Sequence, residues 1–164
     1  MDKFEDILQA NQNFADRFTS EDLTGTAIKG LAIVTCMDSR IDPLRIVGMS
    51  AGDAKILRNA GARVTDDVLR TLVLATHLLG VTRVLVMPHT DCRMASTDEA
   101  GIHEAISKKS GVDTRSLDFQ TTEDQVGALR KDIVKIESYP LLHDEVRVMG
   151  AIYDVKSGLL TPLQ

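Results

Sequence analysis

The chain has 164 residues, the length of one ordinary domain, and its hydrophobic and charged fractions, 43% and 26%, are typical of a globular protein. Its net charge of −5 and the lack of a basic run argue against a nucleic-acid partner. No stretch approaches the roughly 20 apolar residues of a membrane span, and the acidic N-terminus lacks a signal-peptide core. These features predict a cytoplasmic protein that does not bind membranes.

The first predicted element is an amphipathic helix over residues 2–18, followed by a polar hinge over about 19–30. One stripe of this helix carries Phe4, Phe14 and Phe18, three of the four Phe residues in the chain. The stripe must pack either against the protein's own core or against a second subunit, and we expect the second. The predicted organisation is therefore an N-terminal helical arm, 1–30, and a single α/β domain, 31–164.

The rest of the chain alternates short apolar runs with amphipathic segments. Strands are predicted at 31–36, 54–58, 82–88, 145–155 and 159–163, and helices at 43–47, 66–79, 97–108 and 123–138. Thr65 is the predicted N-cap of the second of these helices, and Thr122 with Gln125 forms a predicted capping box for the last. This alternation predicts an open, mostly parallel central sheet flanked by helices, with an antiparallel hairpin at its C-terminal edge.

Two cysteines, Cys36 and Cys92, lie 56 positions apart. Either they are small buried hydrophobic residues, or they take part in a site. Cys36 ends the strand 31–36, and His89 and Cys92 directly follow the strand 82–88, so a parallel sheet would bring all three to one crevice. Thiolate and imidazole are ligands that zinc prefers, and three protein ligands leave the fourth position open, as in catalytic zinc sites. The sequence therefore predicts a catalytic zinc site.

An acidic and a basic residue follow the first cysteine. Asp38 can lie beside the metal, and Arg40 can hold it by a two-point ion pair that keeps the carboxylate charged. The alternative is a surface ion pair of little energetic value. The position at a strand end, next to a predicted ligand, favours a functional pair.

Three segments together resemble a known family. Cys36–Arg40 (C-M-D-S-R), Arg58–Gly61 (R-N-A-G) and His89–Cys92 (H-T-D-C) are similar in order and spacing to motifs of the β-class carbonic anhydrases, and most of all to the small bacterial members. The resemblance extends from about residue 31 to the C-terminal hairpin. It implies reversible hydration of carbon dioxide to bicarbonate and a proton, by attack of a zinc-bound hydroxide.

The resemblance also implies roles for individual residues. It places one Zn²⁺ per chain on Cys36, His89 and Cys92, and makes Asp38 and Arg40 the catalytic pair. In the closed form of some family members the counterpart of Asp38 becomes the fourth metal ligand. The family assembles as a homodimer or a dimer of dimers, with the arm embracing the partner and the site near the interface.

Substrate contacts are implied for the backbone N–H groups of Gly61 and Arg93. The family usually has Gly where this chain has Arg93, and Gly reaches backbone conformations that Arg avoids. The Arg93 side chain either points to solvent or lines the entrance and favours an anion such as bicarbonate. The segment 59–61 is either a wall of the pocket or only a tight turn.

The remaining candidates are weaker. His77, His103 and His143 are expected to be surface or packing residues, and Asp91 is either a partner of the metal ligands or a turn residue. Two alternatives to carbon dioxide hydration stay open. One is hydrolysis of carbon disulfide or carbonyl sulfide at the same zinc site. The other is a metal-binding or redox-sensing protein without turnover, in which Cys36 and Cys92 form a disulfide.

Overall fold

The computed structural model describes residues 3–19 and 23–163. The helices are α1 Glu5–Ala15, α2 Pro43–Ile46, α3 Asp66–Leu78, α4 Glu99–Ser110 and α5 Gln125–Glu137. The strands are β1 Leu31–Cys36, β2 Ala54–Asn59, β3 Arg83–Met87, β4 Arg147–Tyr153 and β5 Leu160–Pro162. Two short 3₁₀ turns, Ala60–Ala62 and Arg93–Ala95, follow β2 and the loop after β3.

The strands form one sheet in the order β2-β1-β3-β4-β5. The first four are parallel, and β5 pairs antiparallel to β4, which confirms the predicted fold class. The chain leaves β1 to one side for β2 and returns to its other side for β3. The direction of the connections therefore reverses at the carboxyl end of β1, the place where open α/β sheets bind ligands.

The core lies on both faces of the sheet. On one face β1 and β3 pack against α3 and α5, with Leu72, Leu129 and Ile136 fully enclosed. On the other face they pack against α2, α4 and the loops beside them. All six residues of β1 are buried, as expected for a central parallel strand covered on both sides.

The start of α5 differs from the prediction. Its N-cap is Asp124, whose Oδ1 accepts a hydrogen bond from the Gly127 N–H at 2.8 Å. Thr122 belongs to the preceding loop, where its N–H donates to Met94 O at 2.9 Å. The capping box predicted at Thr122 and Gln125 was therefore wrong, because a charged carboxylate two residues later was available as the cap.

The predicted arm is only partly separate from the α/β domain. Helix α1 has no buried residue, whereas Ala27 is buried and its N–H donates to Leu79 O at 2.8 Å. Residue 2 of the predicted helix and residues 20–22 of the predicted hinge lie outside the described residues. Within the described part of the arm, the helix is thus the element that buries no residue.

Across residues 3–19 and 23–163, none of the helices has the length and apolar character needed to cross a membrane.

Candidate metal centre

The pairing of β1 with β3 creates the site. Their parallel register aligns Thr35 with Met87, so Cys36 and the loop that begins at Pro88 leave the sheet side by side. The ligand atoms of Cys36, His89 and Cys92 all lie within 4.8 Å of one another, and the three residues are at most 5% exposed. The sheet thus brings together two sulfurs and one imidazole nitrogen in a buried pocket.

His89 is oriented for a metal. Its Nδ1 lies 2.8 Å from Thr90 O and donates to it, because a carbonyl can only accept. Its Nε2 is buried and has no hydrogen-bond partner among the described residues. A buried ring nitrogen without a partner is costly in the apo form, and a metal ion would satisfy it. The donor set of two thiolates and one imidazole fits zinc.

The two thiols are coupled, and the coupling acts in opposite directions on their pKa values. Cys36 Sγ and Cys92 Sγ are 4.0 Å apart, and the hydrogen bond they share lowers the pKa of Cys36 and raises that of Cys92. The backbone N–H groups of Gly61 and Asp38 also lower the pKa of the Cys36 thiol. Those of Met94 and Ala95 act in the same direction on Cys92, against burial, which raises its pKa. N–H groups therefore face both sulfurs and support their negative charge.

Asp38 lies next to the ligand nitrogen. Its Oδ2 is 3.8 Å from His89 Nε2. Arg40 holds Asp38 at two points, with Nε donating to Oδ1 at 2.9 Å and Nη2 donating to Oδ2 at 2.8 Å. These bonds, together with the Arg40 backbone N–H, hold the pKa of Asp38 well below its usual range. Asp38 is therefore an ionised hydrogen-bond acceptor beside the metal position.

A second carboxylate, Asp91, completes the environment of Arg40. Arg40 Nη1 donates to Asp91 Oδ2 at 2.7 Å, and Nη2 donates to Asp91 O at 3.1 Å. Asp91 has a left-handed backbone, with φ of 56°, which Asp tolerates better than most residues. In the structure Asp91 is thus a turn residue that also holds Arg40, and it acts on the metal centre indirectly, through Arg40 and Asp38.

Arg58 is a site residue that sequence reasoning missed as an individual contact. Its Nε donates to Cys36 O at 2.9 Å, and its Nη2 donates to Asp38 O at 2.6 Å. The guanidinium thus fixes the backbone on both sides of Met37. In the sequence, Arg58 stood out only as part of the R-N-A-G segment, and that segment does not indicate which groups its side chain binds.

The turn after β2 forms one wall of the site. Asn59 closes it with a pair of bonds, donating from Nδ2 to Arg63 O at 2.7 Å and accepting the Arg63 N–H at 2.9 Å. Gly61 has φ of 81°, and a side chain there would bring a Cβ within 3.2 Å of Met94 Cβ. The segment 59–61 therefore lies between the two cysteine loops and is more than a connection.

Comparison with known proteins decides the family. A carbonic anhydrase family model matches residues 31–160. Beta-carbonic anhydrase 1 of Mycobacterium tuberculosis is 33% identical over 156 residues, which cover 95% of this chain and 94% of that protein. The chain belongs to the β-carbonic anhydrase family. Its predicted family and cofactor are thereby confirmed, and carbon dioxide hydration at zinc is the reaction of the family.

A solved structure and a relative with another substrate are also similar. The crystal structure of carbonic anhydrase from Streptococcus mutans superposes on this β-carbonic anhydrase with a TM-score of 0.93 at 37% identity, covering 100% of this chain and 99% of that one. A carbon disulfide hydrolase from Acidianus is 29% identical over 169 residues, covering 85% of this chain and 83% of that protein.

The other histidines of this β-carbonic anhydrase lie in other contacts. His77 Nε2 is 2.9 Å from Leu141 O, and its ring packs against that of His143 with centroids 4.0 Å apart and planes tilted by 45°. His103 Nδ1 is 2.9 Å from Thr114 Oγ1. These contacts agree with the predicted packing roles.

Arg93 begins a 3₁₀ turn and is exposed. The non-glycine residues with left-handed backbone in the described ranges are Ala62, Asp91 and Gln120. Position 93 therefore uses a conformation open to any residue, and the replacement of the Gly usual in the family causes no strain there.

Proposed function

We propose that the chain catalyses the zinc-dependent, reversible hydration of carbon dioxide to bicarbonate and a proton. The observation that carries the proposal is the buried group of Cys36, His89 and Cys92 with an ionised Asp38 beside it. When bound, zinc lowers the pKa of a coordinated water from 15.7 to about 7, which makes a hydroxide nucleophile available near neutral pH. Three protein ligands leave one position for that water.

Asp38 and Arg40 then have separate tasks. An ionised carboxylate can only accept hydrogen bonds, so Asp38 accepts one from the attacking oxygen and directs its lone pair at the carbon of the substrate. Arg40 orients Asp38 through two bonds, and Asp91 holds Arg40 in place from the opposite side. In the arrangement described, Asp38 is engaged by Arg40, and a closed form would require Asp38 to leave it and join the metal.

The backbone N–H of Arg93 is the substrate contact that we propose on the side of the Cys92 loop. The right-handed conformation of residue 93 allows this contact with an Arg side chain in place of Gly. Gly61 was predicted to make a similar contact. The Gly61 N–H lowers the pKa of the Cys36 thiol, which favours a role in supporting the sulfur. Any contact of this N–H with substrate would be in addition to that role.

Hydrolysis of carbon disulfide or carbonyl sulfide is the second candidate, favoured by the similarity to a carbon disulfide hydrolase. The two activities are separated by measuring zinc per chain, then carbon dioxide hydration by stopped flow and sulfide release from carbon disulfide on the same preparation. We expect one zinc per chain and hydration much faster than sulfide release. Faster sulfide release would favour the second candidate, and zinc without turnover of either substrate would favour a binding or sensing role.

We also propose that the chain forms a homodimer, or a dimer of dimers, through α1. The helix has 11 residues, which is too short to be stable by itself in water, and it buries none of them within the described chain. The large apolar residues in and next to the helix are 53–65% exposed: Phe4, Ile7, Leu8, Phe14 and Phe18. An exposed apolar stripe of this kind is stabilised by burial against a partner. A second copy of the same chain is always present in solution to serve as that partner.

Replacing Phe14 with Asp is expected to shift the assembly toward monomers, since it places a charge in the middle of the apolar stripe. Sedimentation equilibrium over a range of concentrations measures the change. Leu117→Asp is the matched control, because Leu117 is equally exposed, at 56%, but lies in the loop between α4 and α5. A wild-type protein that is monomeric at all concentrations, or equal assembly of both variants and wild type, would contradict the proposal.

A cytoplasmic location is the last part of the proposal. Cys36 Sγ and Cys92 Sγ are 4.0 Å apart, so an oxidising compartment would favour a disulfide over two zinc thiolates. Finding the protein outside the cytoplasm by cell fractionation would contradict this location.

A further inference from the structure

A buried ion pair lies behind the wall of the metal centre. Arg63 Nε donates to Asp132 Oδ2 at 2.8 Å, and Nη2 donates to Asp132 Oδ1 at 3.3 Å, with side chains only 17% and 6% exposed. Two charges removed from water to this extent cost desolvation energy, and such a pair is weak evidence for stability. Stability alone therefore does not explain why the pair is present, and the other contacts of Arg63 indicate a different role.

Arg63 is also the anchor of the turn Ala60–Ala62. Both its backbone N–H and its backbone C=O are bound by the side chain of Asn59, across the turn. Within the turn Gly61 and Ala62 are both left-handed, with φ of 81° and 60°. Two successive residues in this conformation, one of them not glycine, are held only when the surrounding structure fixes them.

The guanidinium extends this anchorage to two further segments. Asp132 belongs to α5, and Arg63 Nη1 donates to Gln120 O at 3.1 Å in the loop before that helix. The turn is thus tied through one side chain to elements that are packed against the sheet. Displacement of Arg63 would therefore free the turn from both α5 and the loop before it.

The turn in its fixed position touches both cysteine loops. The turn directly follows Asn59, which is paired with Cys36 in the sheet, and the Gly61 Cα lies so close to Met94 that an added Cβ would be 3.2 Å from Met94 Cβ. Met94 lies two residues after Cys92, in the 3₁₀ turn Arg93–Ala95 that Cys92 precedes. The position of the turn therefore decides how well both sulfurs are supported.

We propose that Arg63 and Asp132 are positioning residues of the zinc centre, which hold the Ala60–Ala62 turn against the Cys36 sulfur and so set the strength of the metal–thiolate bond. The inference rests on the proposed function, since it assumes that zinc binds these cysteines. Residues that bond to metal ligands typically contribute about 10- to 100-fold to metal affinity. Arg63 and Asp132 would act indirectly, by fixing the position of the turn.

The experiment separates positioning from stability. Arg63→Met with Asp132→Leu removes both charges and keeps most of the volume, a change that is often neutral or stabilising for a buried ion pair. Arg63→Lys keeps the charge and loses the two-point geometry. For each protein we would measure thermal unfolding, zinc affinity by competition with a chromophoric chelator, and the thiolate-to-metal charge-transfer band of the cobalt-substituted form.

The expected result is a loss of zinc affinity of roughly 10-fold in both variants and a shifted cobalt band, with unfolding of the double variant at or above the wild-type temperature. If the double variant does not fold, the affinity and band of Arg63→Lys decide. Lys135→Met is the matched control, because Lys135 also joins α5 to this segment, by donating to Val64 O at 2.8 Å, but does not touch the turn.

Wild-type zinc affinity and an unchanged cobalt band in the variant that folds would overturn the inference, because a purely structural pair predicts that outcome. This failure is distinct from failure of the proposed function. The proposed function fails if the wild-type protein itself binds no zinc or hydrates no carbon dioxide.

Discussion

Replacing Cys36 with Ser is expected to abolish stoichiometric zinc binding and, with it, carbon dioxide hydration above the buffer rate. Cys36 supplies one of two thiolates in a set of three ligands, and a serine hydroxyl stays protonated at neutral pH and binds zinc poorly. Since loss of a residue that only supports a ligand costs about 10- to 100-fold in affinity, loss of a ligand should cost more. Zinc per chain by atomic emission and stopped-flow hydration measure both effects.

Ser39→Ala is the matched control for this variant. Ser39 is exposed in the same loop, three residues from Cys36, and is not among the predicted ligands. It should keep one zinc per chain and wild-type turnover. A Cys36→Ser protein that folds and still holds one zinc per chain would contradict the ligand assignment.

Replacing Asp38 with Asn is expected to leave zinc bound and to lower kcat by about 10²-fold, a typical contribution of one positioned proton acceptor. The amide has nearly the shape of the carboxylate but offers a donor group where the attacking oxygen needs an acceptor. It also weakens the two-point pair with Arg40. Zinc content, kcat and KM, measured on the same preparation, separate a loss of chemistry from a loss of metal.

The chain contains a close copy of this ion pair for comparison. Asp113 and Arg115 are also two residues apart. The Arg115 backbone N–H and Nε donate to Oδ1 at 3.0 Å each, and Nη2 donates to Oδ2 at 2.6 Å. Asp113→Asn removes the same local interaction away from the metal, and we expect no change in kcat. Equal kcat for Asp38→Asn and wild type would show that the first pair, like the second, is only a local feature.

This duplication shows what sequence alone could establish about the pair. An Asp and an Arg separated by one residue form the same local ion pair at 38/40 and at 113/115. At the third place with this spacing, 91/93, Asp91 pairs with Arg40 instead, so the spacing permits the geometry without ensuring it. What distinguishes Asp38 is its location at the end of β1, 3.8 Å from His89 Nε2. That location was predictable, because alternating strands and helices imply that parallel strand ends converge.

Contacts between distant segments were not predictable in the same way. The Asp91 carboxylate reaches Arg40 only because residue 91 has a left-handed backbone, and nothing in the chain around it specifies that conformation. The pair of Arg63 and Asp132 joins residues 69 positions apart, whose side-chain types are compatible with many other partners. Periodicity and motif spacing predict elements and their order, whereas these contacts depend on tertiary structure. The first joins the loops after β1 and β3, and the second depends on the packing of α5 against the sheet.

The local error at α5 has a similar origin. Both Thr122 and Asp124 are residue types that can cap a helix, so capping preference alone does not decide between them. The choice was decided by tertiary structure, because Thr122 N–H pairs with Met94 O in the loop beside the metal centre. Helix boundaries of this kind follow from the surroundings as well as from the capping residues.

The most direct test of the central claim is X-ray absorption at the zinc edge of the purified protein. The account predicts one zinc per chain with two sulfur ligands at about 2.3 Å and two nitrogen or oxygen ligands at about 2.0 Å, the imidazole and one exchangeable position. A metal shell without two sulfurs in the wild type, or a protein that binds no zinc, would contradict the account.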